Sequence, residues 1–197
     1  MILKNYVFGP LLCQMTVEQE DLEKVKLLFD RSPEYDFKKR LIGNLQGEFF
    51  LNIKSYSNII HKYIYAFKQN CEDYYRRKYA DIALVSAWVN FMSKGDYNPP
   101  HIHNDCDFSS VMFIQVPEGL KKEAKDFYNQ CNSDYVNGPG SLQFIHGNYE
   151  NKNDIALQSF EPKVGDFYIF PNWLLHYVNP FRCDGERISV AANFKEL

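Results

Sequence analysis

Two histidines stand two residues apart in Asn98-Pro99-Pro100-His101-Ile102-His103-Asn104-Asp105. Residues i and i+2 of an extended chain face the same side, so both imidazoles can reach one metal ion. A third histidine, His176, falls in Phe170-Pro171-Asn172-Trp173-Leu174-Leu175-His176-Tyr177-Val178. Three protein ligands on one face of an ion, with other positions left open, is the donor set of metal-centred oxidation chemistry. A second frame overlaps the first: His103-x-Asp105 with His176 also makes a two-histidine, one-carboxylate set. Against that frame, only a short loop would remain before the strand at Phe108. Arg187 follows in Arg187-Ile188-Ser189-Val190-Ala191-Ala192-Asn193-Phe194. A cation on an otherwise apolar strand points into a closed sheet. There a buried guanidinium needs an anion, and its planar fork suits a carboxylate. His61 and His146 stand apart from this pattern.

These side chains must be positioned by strands. After residue 80 the chain reads as short apolar or alternating runs, Ala83–Met92, Ser110–Val116, Ser141–Ile145, Val164–Phe170 and Ile188–Phe194, punctuated by Gly, Pro, Asn and Asp. Strands at such spacing predict a sandwich or barrel. Before residue 80 the pattern is helical. Thr16 and Gln19 form a capping-box pair ahead of Leu22, Val25, Leu28 and Phe29, and Ser32-Pro33 ends that helix. Residues 2–15 read as an extended lead-in with Leu11 and Leu12 in the core. Residues 34–54 read as irregular. A second helix is predicted from Ser55 to Lys78, with Ile59, Ile60, Tyr63, Ile64, Phe67, Cys71 and Tyr74 on one face that packs against the sheet. The polar stretch 118–138 reads as a long loop, either a lid or a solvated insertion. The expectation is one domain over 1–197, with residues 1–80 a helical support outside an 81–197 barrel.

Composition excludes several classes. A net charge of −3 gives no polyanion-binding surface, so no nucleic acid partner is expected. The five cysteines are scattered, with no Cys-x-x-Cys, which argues against a disulfide framework or thiolate zinc site and for a reducing compartment. No apolar stretch is long enough to span a bilayer, and Lys4-Asn5 interrupt any signal-like start. A cytoplasmic protein is expected. The oligomeric state is left open, a homodimer included.

Gly95, His101-x-His103 and Asp107 are similar to the first cupin motif, and Gly165, Pro171 and His176 to the second, with Trp173 where cupins carry Gly. Over residues 86–195 the chain resembles a 2OG-Fe(II) oxygenase family with members in marine bacteria and phages, related to aspartyl/asparaginyl and prolyl hydroxylases. The marks are Trp88-x-Asn90, Gly95-Asp96, Pro100-His101-x-His103, Gly165-Asp166, Phe170-Pro171, Leu174-x-His176-x-Val178-x-Pro180 and Arg187-Ile188-Ser189. The resemblance implies a mainly β, α+β fold: a double-stranded β-helix, or cupin-like jelly roll, with N-terminal helices outside. It implies iron(II) at His101 and His176, with the second position of the first motif at His103; the His-x-Asp pattern of such oxygenases gives the alternative set His103, Asp105 and His176, and the cupin spacing favours His101, His103 and His176. It implies 2-oxoglutarate held by Arg187 with Ser189 and Asn90 assisting, dioxygen as oxidant and an unnamed prime substrate. Where the family carries a Tyr strand this chain has Met112-Phe113, which removes a hydroxyl near the co-substrate. The rivals are a cupin-type metal enzyme that does not use 2-oxoglutarate, and a non-catalytic β-barrel binding protein.

Overall fold

The computed structural model describes residues 3–7, 9–37, 42–45, 47–130, 138–147 and 156–197. In chain order the elements are β1 (Leu3–Val7), β2 (Leu11–Thr16), α1 (Gln19–Lys26), β3 (Gly47–Phe50), α2 (Ile53–Tyr75), β4 (Ile82–Met92), β5 (Asn98–His101), β6 (Phe108–Gln115), α3 (Leu120–Gln130), β7 (Leu142–Ile145), β8 (Leu157–Phe160), β9 (Asp166–Pro171), β10 (Leu175–Val178) and β11 (Arg187–Glu196). They form two antiparallel sheets. The larger has the order β1-β2-β9-β6-β11-β4-β3 and the smaller β5-β10-β7-β8. From β4 onward the chain winds back and forth between the two sheets, as a jelly roll requires.

Strand alternation gives the larger sheet two different faces. On β11, Ile188, Val190, Ala192 and Phe194 join a cluster with buried residues of α1 and α2. The intervening Arg187, Ser189 and Ala191 turn the other way. That inner face carries Met92, Phe113, Tyr168 and Phe170, which pack against Leu142, Phe144 and Val178 of the smaller sheet. α1 and α2 therefore cover the outside of the larger sheet, and the interior between the sheets is left for chemistry.

α2 begins at Asn52, whose side chain accepts from the Ser55 N–H, and presents Tyr56, Ile60, Tyr63, Ile64, Phe67 and Cys71 to the sheet. α1 is tied to it by Tyr63, whose hydroxyl donates to Asp21 at 2.8 Å and accepts from the Glu18 N–H at 2.9 Å. The Phe67 ring meets Phe108 edge-on at 5.0 Å. Phe67→Ala is expected to cost about 3–5 kcal/mol, the usual toll of a large cavity. Urea denaturation will register it as a lower midpoint. Metal binding should be unchanged, because this contact lies on the face away from the histidines.

Several local expectations yield to tertiary pairing. Thr16 is the last residue of β2, paired with Asp166 of β9, and caps nothing. α1 starts three residues later, with Glu18 at its N-cap and no side-chain cap. It ends at Lys26, well before Ser32-Pro33, which instead opens a single 3-10 turn, Pro33–Tyr35. Gly47–Phe50, expected as irregular, is the edge strand that pairs with β4. The first 80 residues thus supply three strands of the larger sheet as well as helices. Much of the polar stretch 118–138 is α3, anchored by the buried Leu120 and Ala124. Residues 131–137 lie outside the described residues.

Candidate metal centre and co-substrate pocket

His101 and His176 are direct partners in the β5–β10 ladder. Their rings sit 4.3 Å apart, and the His103 ring lies parallel to that of His176 at 5.1 Å. One nitrogen from each of the three histidines falls within 4.8 Å of the others, and no other group of three His, Cys, Asp or Glu side chains does so among the described residues. The Nε2 atoms of His103 and His176 are 3.3 Å apart. With metal–nitrogen bonds of about 2.1 Å, two nitrogens on one ion stand roughly 3.0–3.4 Å apart, so this spacing fits a shared ion.

Hydrogen bonds set the tautomers. His101 Nδ1 is 2.7 Å from the Pro99 carbonyl, and His176 Nδ1 is 2.8 Å from the Leu174 carbonyl. A carbonyl only accepts, so both Nδ1 atoms carry the proton. Each Nε2 is left with a lone pair, which is the metal-binding form. Electrostatics agree. Burial lowers all three imidazoles: His101 falls below its usual value, His103 to about 4 with help from His101, and His176 well below the ordinary histidine range, with both neighbours adding to the effect. At neutral pH the cluster is uncharged and its lone pairs are available.

The same shifts predict an acid-sensitive apo protein. An unfolded histidine titrates near 6.5. Below that pH the unfolded chain takes up protons that the folded cluster refuses, so folding stability is full above about pH 6.5 and declines as pH falls toward 4. Thermal melts of metal-free protein between pH 7 and 4.5 should show a falling Tm, and His103→Ala should flatten the curve.

Asp105 is exposed, sits in a left-handed turn at φ 60, and is not in the cluster. Asp107 is exposed too, and its carboxylate accepts from the Glu196 N–H at 2.8 Å. Trp173, where the cupin pattern has glycine, keeps a negative φ and points largely to solvent, so the position does not demand glycine. His146 packs beside the Trp173 ring at 5.7 Å, and His61 is exposed on α2, so neither joins the cluster.

Arg187 heads the large, fully buried side chains among the described residues. Its guanidinium lies 4.6 Å from the centre of the Phe113 ring, and Nη1 donates to the Met92 sulfur at 2.8 Å. Nε and Nη2 are buried without any hydrogen-bond partner. Burial pushes its pKa down to about 9, which still leaves it charged at neutral pH. A desolvated cation with two unanswered N–H groups has the chemistry of a carboxylate receptor. Phe113 supplies its ring face to the guanidinium. Asn90 and Ser189 are ladder partners on β4 and β11, both buried on the Arg187 side of the sheet, and the Asn90 side-chain oxygen is unpartnered. Arg187 and the histidines share one interior: Phe113 and Met92 belong to the same core cluster as Phe144 and Phe170, which pack on His176.

A cleft of about 430 Å³ opens beside His101 and His103, walled by Trp88, Phe37, Ile102, Glu48, Asn98 and Asn193 among others. Glu48 is only 2% exposed. It was not singled out from the sequence, because Gly47 and the preceding turns hid the strand that carries it.

A family model described as "Putative 2OG-Fe(II) oxygenase" matches residues 86–193. No curated protein is matched by the chain. Among solved structures, an oxidoreductase of the 2OG-Fe(II) oxygenase family from Burkholderia pseudomallei is 12% identical, covers 93% of this chain and 84% of its own, and superposes with a TM-score of 0.58. The viral collagen prolyl hydroxylase from Paramecium bursaria Chlorella virus-1, solved with 2-oxoglutarate, is 14% identical over 94% of this chain and 96% of its own, at a TM-score of 0.57. HygX from Streptomyces hygroscopicus, solved with nickel, 2-oxoglutarate and hygromycin B, is 10% identical over 95% and 83%, at 0.55. At such identities the likeness concerns the fold, which is the expected double-stranded β-helix.

Proposed function

This chain belongs to the 2OG-Fe(II) oxygenase family, and on that premise we propose that it is a hydroxylase of a protein side chain or a small metabolite. The overall reaction turns a substrate C–H, dioxygen and 2-oxoglutarate into C–OH, succinate and carbon dioxide. The observation that carries the residue assignment is a triad of neutral imidazoles in the same barrel interior as a buried arginine with two unanswered N–H groups. When bound, iron(II) and 2-oxoglutarate supply the activation of dioxygen that no side chain provides.

The chain's own groups do the rest. His101, His103 and His176 would hold the iron through lone pairs, two of which are aimed by backbone carbonyls. Arg187, whose Nε and Nη2 are unanswered, would hold the distal carboxylate of 2-oxoglutarate. Ser189 and Asn90 border that site. Phe113, Phe144 and Phe170 keep water from the interior, which strengthens the ion pair. The prime substrate enters by the cleft beside His101 and His103. Its size suits a side chain or a small molecule. Cupin-type metal enzymes that do not use 2-oxoglutarate share a three-histidine set. The unanswered guanidinium favours the co-substrate reading, because without it that burial has no compensation.

The test is succinate formation from 2-oxoglutarate by metal-stripped protein to which iron(II) is returned. Formation that needs both iron(II) and dioxygen supports the proposal. Metal-dependent turnover of other substrates that ignores 2-oxoglutarate would overturn it.

A further inference from the structure

His101 and His176 are held by a strand ladder, but His103 is not: β5 ends at His101 and β6 begins only at Phe108. The backbone of His103 is held by one residue. Its N–H donates to the Asn172 carbonyl at 2.9 Å, and its own carbonyl accepts from the Asn172 side-chain amide at 3.0 Å. The Asn172 N–H in turn donates to the Asp107 carbonyl at 3.1 Å. A single asparagine thus grips both ends of the 103–107 turn, which contains the exposed Asn104 and the left-handed Asp105. Asn172 sits between β9 and the strand that bears His176, four residues ahead of that histidine.

We propose that Asn172 is a positioning residue for the metal centre, which locks His103 in register with His176. The inference rests on the reading of His103 as a ligand. A side-chain amide is required because the same residue must donate to one carbonyl, and an aspartate of equal size would set an acceptor against it. Loss of an interaction that orients a ligand typically costs 10–100-fold in metal affinity.

The experiment is Co(II) titration of the metal-free protein, followed by visible absorption. It compares wild type, Asn172→Asp, Asn172→Ala, His103→Ala and Phe67→Ala. The last is a control for general destabilisation, on the face of the sheet away from the histidines. The expected result is Co(II) affinity about 10–100-fold weaker in both Asn172 variants, with an altered ligand-field spectrum, while Phe67→Ala binds Co(II) as wild type does. Asn172→Asp keeps the side-chain volume and serves if the alanine variant does not fold. Wild-type affinity and spectrum in Asn172→Asp, with His103→Ala impaired, would overturn this inference and leave the ligand assignment intact. An equal loss in Phe67→Ala would overturn it as well. Unchanged Co(II) binding in His103→Ala would remove the ligand assignment and this inference together.

Discussion

Replacing His176 with alanine is expected to abolish metal uptake and to lower succinate formation on the order of 10³-fold or more, because metal chemistry is worth several kcal/mol of barrier. His176 is the hub of the triad. It pairs across the ladder with His101 on one side and Phe144 on the other, and it is only 3% exposed. Its proton sits on Nδ1, held by the Leu174 carbonyl, so Nε2 has no competing task. The variant should still unfold cooperatively in urea, since β10 keeps its backbone ladder to β5 and β7. Metal analysis of purified protein, read beside the urea curve, separates a lost ligand from a lost fold. A variant that keeps one tightly bound iron per chain would show that His176 is not a ligand.

Arg187→Met is expected to push activity and stability in opposite directions. The buried guanidinium leaves two N–H groups unsatisfied and has only the Met92 sulfur and the face of Phe113 for company. Replacing buried charged groups with apolar side chains of similar volume is often stabilising by roughly 1–4 kcal/mol even when the charges are paired, and this one has no ionic partner. For a chain of this size each kcal/mol moves Tm by about 2–4 °C. The co-substrate-free variant should therefore melt several degrees above wild type. The carboxylate receptor is lost in the same change, which should weaken 2-oxoglutarate about 10²-fold or more, the scale of a broken buried charge pair. Thermal melts with increasing 2-oxoglutarate, in the presence of a non-catalytic divalent metal, read both effects. Wild type should gain Tm with ligand, and the variant should start higher and gain little. A variant that melts lower, or that keeps its response to 2-oxoglutarate, would refute the assignment of Arg187 as the anchor.

The residues of the candidate site were more legible in the sequence than the elements around them. His101-x-His103, His176 and Arg187 could be read because each is a polar residue in an extended or apolar setting, where burial demands a partner. The strands over Ile82–Met92, Phe108–Gln115, Asp166–Pro171 and Arg187–Glu196 could be read from short apolar or alternating runs punctuated by turn residues. Harder to read were elements whose reason lies elsewhere in the chain. Thr16 obeys its partner Asp166 in preference to its own capping signal. β5 contains Pro99 and Pro100, which argue against a strand until it is placed at the sheet edge, with a register shift in the ladder opposite them. α3 is so polar that only Leu120 and Ala124 mark its buried side. What bears on the two overlapping frames at His103 is turn geometry. The backbone at Asp105 takes φ 60 and leaves the carboxylate in solvent, outside the histidine cluster, a conformation that no spacing rule supplies. Asn172 was hidden for a similar reason, since its role is a contact with His103 across 69 positions.

The most direct measurement is anomalous diffraction from crystals grown without oxygen, with iron(II) and 2-oxoglutarate. The expected map has one metal peak in bonding contact with Nε2 of His101, His103 and His176, and 2-oxoglutarate with its distal carboxylate on Nε and Nη2 of Arg187. A metal bound by His103, Asp105 and His176 with His101 released, or a 2-oxoglutarate that does not touch Arg187, would contradict it.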